Sequence, residues 1–140
     1  MKRTFDLFLV YLLIFILLVP LFLIAIAIKL SSEGPILFVS DRVGQNNRLF
    51  KMLKFRSMKM GTPTVGTHLL SAPHKALTPL GSFLRQSSID ELPQLWNIIQ
   101  GDMSFVGPRP ALYNQDDLIA LRNEKGVDKL LPGISGWAQV

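Results

Sequence analysis

Apolar residues are concentrated in one uninterrupted run near the start of the chain. From Leu7 to Ile28, 22 residues carry no charged or strongly polar group. As a helix they would extend roughly 33 Å, about the thickness of a hydrocarbon core. The run is longer than the ~7–15 apolar residues of a signal peptide. We therefore predict a membrane helix that is retained.

Pro20 lies within this run and affects the path that the helix takes through the membrane. Proline has no amide hydrogen for the carbonyl of Ile16, so we predict a kink or break near residues 16 to 20. A kinked spanning helix and a re-entrant hairpin are both compatible with a proline here. Basic residues flank both ends of the run, and such residues prefer the cytoplasmic side. This symmetry favours the re-entrant hairpin, with residues 1–29 as the membrane element and 30–140 as a cytoplasmic domain at the interface.

Shorter patterns follow in the rest of the chain. Two apolar-rich runs, 36–42 and 48–55, flank a Gly/Asn segment and predict a β-hairpin. Residues 61–75 are rich in Gly, Thr, Ser and Pro and predict a loop. Thr78-Pro79 predicts a helix start, with the end near Gln86, and a further helix is predicted between Asn114 and Gly126. The predicted fold class is therefore α+β and membrane-associated, with a small hairpin and several short amphipathic helices around an active site.

The segment "SSIDELPQLWN" carries two adjacent carboxylates, Asp90 and Glu91. Ser88 and Glu91 have capping-box spacing, but Pro93 would then lie inside the helix at a cost of about 3 kcal/mol or more. With Pro93 at the first helical position, the helix runs to about Gln100 and buries Leu95, Trp96 and Ile99. The carboxylates then lie just ahead of its N-terminus, where the helix dipole favours an ionised group able to act as nucleophile or metal ligand.

Charge and composition narrow the chemistry. The 140 residues carry a net charge of +5 and contain no cysteine, which excludes disulfides and thiolate metal sites. Six basic residues and no acid lie between Arg42 and Lys59. Such a cluster suits either an anionic leaflet or a phosphate-binding surface, and no nucleic-acid-binding signature accompanies it. His68 and His74 have no carboxylate or cysteine nearby and do not predict a metal site.

A phosphate-binding residue is predicted in "GDMSFVGPRP". Arg109 lies between Pro108 and Pro110, whose fixed dihedral angles restrict the backbone and suit a bidentate phosphate contact. An ordinary solvated arginine in a Pro-rich turn is the alternative. Acids that hold a divalent metal and attack phosphorus, beside bases that neutralise phosphate oxygens, are what phosphoryl transfer at a membrane surface needs. The bases that could join Arg109 are Arg85, Lys54 and Arg56.

These motifs together resemble those of a known family, the monotopic phosphoglycosyl transferases, which are bacterial sugar transferases that start glycoconjugate assembly. The resemblance covers essentially the whole chain, and its most specific parts are "DELPQLWN" and "GDMSFVGPRP". The other parts are "KRTFDL", the central proline, "IKLSSEGPILF", "DRVG", "KFRSM", "TPLGSFLRQSSI" and "LPGISGWAQV".

The resemblance implies transfer of a sugar 1-phosphate from a UDP-sugar to undecaprenyl phosphate, with release of UMP, as the first step of polysaccharide or glycoprotein glycan assembly. It implies that Asp90 attacks the β-phosphate to form an aspartyl phosphosugar and that Glu91 is the acid/base partner. It also implies a Mg²⁺ ion on Asp90 and the diphosphate, a re-entrant helix broken at Pro20, and a location at the cytoplasmic face of the bacterial inner membrane. The implied phosphate contacts are Arg109 and Arg85, followed by Lys54 and Arg56.

This sequence departs from the family pattern at two places. Val19 occupies the position before the helix proline, where many members have a serine whose hydroxyl can bond the freed carbonyl. Members also continue beyond the residues that match Val140, so we expect part of the sugar or nucleotide site in that further stretch. Neither the donor sugar nor the oligomeric state follows from the sequence.

Two other functions share these residues. A non-enzymatic membrane adaptor would use the basic residues to bind anionic lipid, without dependence on Asp90 or magnesium. A metal-dependent phosphatase acting on polyprenyl diphosphates would use the same acids and bases and release inorganic phosphate.

Overall fold

The computed structural model describes residues 1–63 and 70–136, and within them helices and strands build one α+β body. The α-helices are α1 (Lys2–Ser31), α2 (Gly81–Gln86), α3 (Gln94–Gln100) and α4 (Asp116–Glu124). The strands are β1 (Leu37–Val43), β2 (Leu49–Phe55), β3 (Ser104–Val106), β4 (Ala111–Leu112) and β5 (Gly133–Ser135). Short 3₁₀ turns are formed by Gln45–Asn47, Pro73–Ala76, Ile89–Glu91 and Val127–Lys129. The mixed fold class predicted from the sequence is confirmed.

The long helix α1 contains the whole apolar run. It continues through Pro20 as one element of 30 residues. Of the predicted kink or break, a break is therefore wrong, and a kink stays a prediction. Its outer face is apolar and exposed around the proline, where Phe15, Ile16 and Val19 each leave at least 60% of their surface uncovered. It is long and apolar enough to cross a membrane, and only 6% of its most apolar window is buried within the protein. Such a surface is expected to be covered by lipid.

Both ends of α1 pack against the same body. Val10, with Leu13 and Ile14 beside it, joins one hydrophobic cluster that also contains residues of β2 and α3. Ile28, with Leu21 and Ile24, joins a second cluster built around Phe55 and Leu84. The helix and the rest of the protein therefore share their hydrophobic core at two separate places.

Polar contacts hold each end of α1 in position. Near its start, Arg3 donates to the carbonyl oxygens of Ile98 and Ile99 at the end of α3, where unpaired carbonyls favour a cation. The carboxylate of buried Asp6 accepts a hydrogen bond of 2.7 Å from the Ser104 hydroxyl. At the other end, Arg56 donates to Glu33 O and, at 3.1 Å, to Ser32 O.

The predicted hairpin is confirmed. β1 and β2 pair antiparallel over their full length, from Leu37 opposite Phe55 to Val43 opposite Leu49. Asn46 and Asn47 make the tight turn with positive φ angles of 56° and 59°, a conformation that asparagine tolerates better than most residues. β4 adds to the other edge of β1, so β1 is the central strand in the order β2-β1-β4.

α3 is tied to β2 by a buried side chain. Asn97 is fully buried; its amide oxygen accepts from Leu53 N at 3.0 Å and its amide nitrogen donates to Lys51 O at 2.8 Å. This one side chain thus makes two of the hydrogen bonds that a neighbouring strand would make to the outer edge of β2. Because α3 follows the carboxylate pair directly, this contact also fixes the pair relative to the sheet.

Some sequence predictions need correction. α2 ends at Gln86 as predicted but begins at Gly81, because Thr78 is buried and hydrogen-bonded to Ser57 O and makes no helix cap. Pro93 is the cap of α3 and the helix proper begins at Gln94. Trp96 was predicted to be buried but is 52% exposed, and Ile98 is buried in its place.

Two further predictions concern α4 and the loop. α4 occupies the region predicted between Asn114 and Gly126. Of the predicted loop, Thr64 to Leu69 and with them His68 lie outside the described residues. His74 is in the short 3₁₀ turn Pro73–Ala76.

Candidate active site

A cavity of about 960 Å³ opens beside the sheet and α2, a size suited to a substrate with several charged groups. Part of its wall is apolar and includes Leu37, Val39, Met58 and Leu118. The rest is basic, and among the described residues it contains one carboxylate, that of Asp90. The basic residues that line it are Arg42, Lys54, Arg56, Lys59, Arg85, Arg109 and Arg122. A wall of this composition favours a ligand with more than one negative charge.

The carboxylate pair lies on a 3₁₀ turn, Ile89–Glu91, immediately before α3. Ser88 starts the turn with a φ of +58° and forms no side-chain cap, so the capping-box alternative is wrong. The predicted position just ahead of α3 is confirmed. The turn directs the two neighbouring carboxylates into different surroundings.

Glu91 is held by two cations. Its Oε1 lies 3.0 Å from Lys54 Nζ and 3.4 Å from Arg109 Nη1. The side chains of Glu91 and Lys54 are 19% and 14% exposed, so this pair is shielded from water more than a surface ion pair. Burial lowers the pKa of Lys54, and Glu91 is the strongest influence in the opposite direction. The contact joins β2, the turn and the Pro-Arg-Pro segment at one carboxylate.

Asp90 has the opposite environment. It is 6% exposed, its side chain lines the cavity, and it forms no hydrogen bond or ion pair with the described residues. Burial raises the pKa of the Asp90 carboxyl above its ordinary value of 3.8, while Lys54 most strongly opposes the shift. Placement before a helix predicted a favoured ionised form; desolvation outweighs that effect here. The result is a carboxylate that is open to a ligand in the cavity.

The Pro-Arg-Pro segment is fixed by close backbone packing. A Cβ atom at Gly107 would lie 2.2 Å from Leu131 O. Only glycine therefore fits here, where the chain that leaves β3 crosses the chain that leads into β5. Gly133 N donates to Pro108 O at 3.0 Å on the same crossing. The backbone around Arg109 is thereby held while its side chain stays 47% exposed at the cavity. This agrees with the restricted arginine that the sequence predicts.

The other predicted phosphate contacts differ in their present partners. Arg85 lines the cavity and its Nε donates to Ser57 Oγ at 3.2 Å. Arg56 also lines the cavity, but it is buried and its terminal nitrogens are bonded to the chain that follows α1. Its Nε has no hydrogen-bond partner among the described residues. A phosphate contact of Arg56 stays a prediction, beside the structural contact that is observed.

A family model for bacterial sugar transferases matches residues 1–140. The chain belongs to the bacterial sugar transferase family. The family assignment made from the sequence motifs is thus confirmed.

Curated members of the family resemble this chain over most or all of its length. An undecaprenyl-phosphate glucose phosphotransferase of Komagataeibacter xylinus is 43% identical over 99% of the chain and 27% of its own length. A UDP-glucose:undecaprenyl-phosphate glucose-1-phosphate transferase of Escherichia coli is 38% identical over 100% of the chain and 31% of its own length. An Aeromonas hydrophila UDP-N-acetylgalactosamine-undecaprenyl-phosphate N-acetylgalactosaminephosphotransferase is 42% identical over 83% and 28%. The chain thus spans under a third of these relatives.

Three members of the basic wall were not singled out as site residues by the sequence, and one of them, Lys59, is the last residue of the basic run that begins at Arg42. Arg42 is on the central strand β1, and Arg122 is on α4. Arg42 belongs to the "DRVG" motif, so the motif was a usable signal for it. Arg122 has no such signal, because only the packing of α4 brings it to the cavity.

A divalent cation fits this site in one particular way. No cluster of three or more histidine or acidic side chains is present in the described part of the chain, so these residues form no complete protein cage. Magnesium is commonly held by one or two carboxylates together with substrate phosphates. Asp90, which opens to the cavity without a partner, suits such a shared site.

Proposed function

We propose that this chain contains the catalytic site of a transferase that moves a sugar 1-phosphate from a UDP-sugar to undecaprenyl phosphate at a membrane surface. The observation that carries the proposal is the cavity, whose wall combines seven basic side chains with the carboxylate of Asp90. The reactions named for the relatives support the two substrates. Those names contain different sugars, so the donor sugar is left open.

In the first step, a carboxylate oxygen of Asp90 attacks the β-phosphorus of the donor. The bond between that phosphorus and the bridging oxygen breaks, and UMP leaves with the oxygen and the electron pair. Lys54, Arg85 and Arg109 neutralise the charge that develops on the phosphate oxygens. Their charges act on the Asp90 carboxyl, which supports their placement around the reacting phosphorus.

In the second step, a phosphate oxygen of undecaprenyl phosphate attacks the phosphorus of the aspartyl phosphosugar. The bond to Asp90 breaks, the carboxylate is restored, and an undecaprenyl-diphosphate sugar forms. Glu91 accepts a proton from the acceptor phosphate when that phosphate arrives protonated. Its contacts with Lys54 and Arg109 orient it for this role.

Asp90 would hold a magnesium ion jointly with the donor diphosphate. The ion supplies positive charge that offsets the negative charge of the diphosphate during transfer. Its requirement is tested by chelation: we expect removal of Mg²⁺ to stop UMP release and its return to restore it.

We propose that α1 enters and leaves the membrane on one side, the cytoplasmic face of the bacterial inner membrane. Both ends of α1 pack on the same body, which a helix with its ends on opposite sides of a bilayer could not do. Its exposed apolar midpoint lies at Phe15 to Pro20. Lys2, Arg3 and Lys29 flank the run as the positive-inside tendency requires.

The deciding experiment measures UMP release in detergent or nanodiscs, with undecaprenyl phosphate, Mg²⁺ and a panel of UDP-sugars. We expect release with at least one sugar, and a loss of at least about 10³-fold in Asp90→Asn. Asp41→Asn is the matched control, because Asp41 is exposed and its ion pair among the described residues is with Lys51.

Other outcomes would contradict the proposal. Turnover by Asp90→Asn at the unmodified rate would exclude the aspartyl intermediate. Release of inorganic phosphate in place of UMP would identify a phosphatase. Salt-sensitive lipid binding without any turnover would indicate the adaptor.

A further inference from the structure

Arg42 is a cavity residue that the reaction described above does not use. It lies on β1, the central strand of the sheet, opposite Phe50 of β2 and Leu112 of β4. Strands on both sides therefore fix its backbone. Its side chain borders the large cavity, and with Lys54 and Arg109 it also borders a small adjoining space.

The guanidinium of Arg42 is held in place by neutral oxygens. Its Nε donates to Ser40 Oγ at 3.2 Å and its Nη1 donates to Pro110 O, also at 3.2 Å. Pro110 directly follows Arg109, so this second bond places Arg42 beside another guanidinium. No carboxylate of the described residues forms an ion pair with Arg42.

This environment is unfavourable for a cation without an anionic ligand. Burial, and after it the charge of Arg109, lower the pKa of Arg42 to about 10, against the opposing influence of Glu91. The group is still charged at neutral pH. Two neighbouring guanidinium groups of this kind are stabilised when an anion accepts hydrogen bonds from both.

The position of Arg42 distinguishes it from the cations around the reacting phosphorus. The positive charges that act on Asp90 are those of Lys54, Arg85 and Arg109. Arg42 is not among them, and it is hydrogen-bonded to the carbonyl oxygen of Pro110, the residue that follows Arg109. A diphosphate with its β-phosphorus at Asp90 therefore has room to place its other phosphate toward Arg42.

We propose that Arg42, together with Arg109, binds the α-phosphate of the donor, which is the phosphate that departs with UMP. This inference rests on the proposed function and assigns a residue to the leaving nucleotide. Arg42 would contact the donor and UMP, and it would not contact the lipid acceptor during the second step.

Direct binding of UMP tests this assignment without requiring turnover. Isothermal titration of the protein in detergent would compare UMP with uridine, which lacks the phosphate. We expect Arg42→Gln to raise the Kd of UMP about tenfold or more and Arg42→Lys to raise it less, because lysine keeps the charge but loses the bidentate fork. Arg48→Gln, on the same hairpin but exposed and away from the cavity, should leave the Kd unchanged.

Each remaining outcome bears on the proposal. A UMP Kd in folded Arg42→Gln equal to that of the unmodified chain would overturn it, as would a raised KM for undecaprenyl phosphate with unchanged UMP binding. If Arg42→Gln fails to fold, an unchanged Kd in Arg42→Lys would overturn the bidentate contact. UMP binding that depends on Arg42, in a chain that releases no UMP from any UDP-sugar, would refute the proposed function and leave the phosphate site standing.

Discussion

The cavity side and the sheet side of the turn Ile89–Glu91 differ although they are one residue apart. On the sheet side, Glu91 is engaged by Lys54 and Arg109. On the cavity side, Asp90 is buried and forms no such bond with the described residues. The backbone of Ser88, just before the turn, is in the left-handed region, and Pro93 follows the turn as the cap of α3. Between these two residues the side chains of Asp90 and Glu91 point in different directions.

This difference separates two functions that the sequence alone could give to either carboxylate. A carboxylate fixed by two cations is suited to orienting other groups and exchanging a proton. One that opens to a ligand site without a partner is suited to forming a bond or holding a metal ion. The following predictions test this difference between the two carboxylates.

After Asp90→Asn, the largest effect is expected from Glu91→Gln on the sheet side. The amide neither offsets the charges of Lys54 and Arg109 nor accepts a proton, so we expect kcat for UMP release to fall about 10²- to 10³-fold. Glu124→Gln, an exposed change on α4, is the control and should keep full turnover. Equal turnover in the two variants would show that Glu91 has no part in the reaction.

The second prediction concerns Asn97, which holds α3, and with it both carboxylates of the preceding turn, against β2. Asn97→Ala removes the bonds to Leu53 N and Lys51 O and leaves both groups without their partner. We expect the free energy of unfolding to fall by about 2–3 kcal/mol, measured by denaturation in detergent. Asn123→Ala, which removes an exposed bond to Asn47, should change it by less than about 0.5 kcal/mol. A similar small change at Asn97 would contradict its role in fixing the turn.

The third prediction is a pH dependence on the cavity side. Because burial raises the pKa of Asp90, the acidic limb of kcat/KM should lie above the ordinary aspartate value of 3.8. The folded state also holds this proton to higher pH than the unfolded state does. The contribution of Asp90 to stability therefore decreases as pH rises from 3.8 through the folded pKa.

Asp90→Asn provides the comparison for this effect. It should lack that decrease, so thermal midpoints of the two proteins, measured over a pH series, should diverge toward higher pH. Parallel midpoints over the whole series would show that the carboxyl does not have a raised pKa.

The smallest effect is expected at Asp6, a buried carboxylate that has a partner and lies outside the cavity of Asp90. Asp6→Asn keeps an acceptor for the Ser104 hydroxyl but weakens the bond, so we expect a loss of about 1 kcal/mol in stability. The kcat of the folded protein should stay within about twofold of the original. A loss of turnover as large as that of Asp90→Asn would show that burial alone does not separate structural from reactive carboxylates.

Local signals in the sequence were sufficient for much of the fold. The hairpin around Gln45–Asn47 and the position of the carboxylate pair follow from turn residues and from the proline rule. Trp96 was assigned to the wrong face, because three apolar residues in a short helix do not fix which side meets a sheet. A kink or break was predicted near Pro20, and the helix continues through that residue without a break.

The parts that could not be predicted are contacts between distant segments. Asn97 reads as an ordinary polar helix residue until β2 lies beside it. Arg42 and Arg109 are far apart in the chain and are brought together by the pairing of β1 with β4. No local pattern distinguishes Arg56, which is hydrogen-bonded to the segment after α1, from the other arginines that line the cavity.

The two attachments of α1 limit how this architecture can be rearranged. Arg3 and Asp6 at one end, and Arg56 at the other, join the helix to α3, β3 and β2. A chimera in which another protein's membrane anchor replaced residues 1–31 would remove residues from both hydrophobic clusters, Val10 from one and Ile28 from the other. The membrane helix thus forms one unit with the rest of the described chain, and it is not an interchangeable attachment.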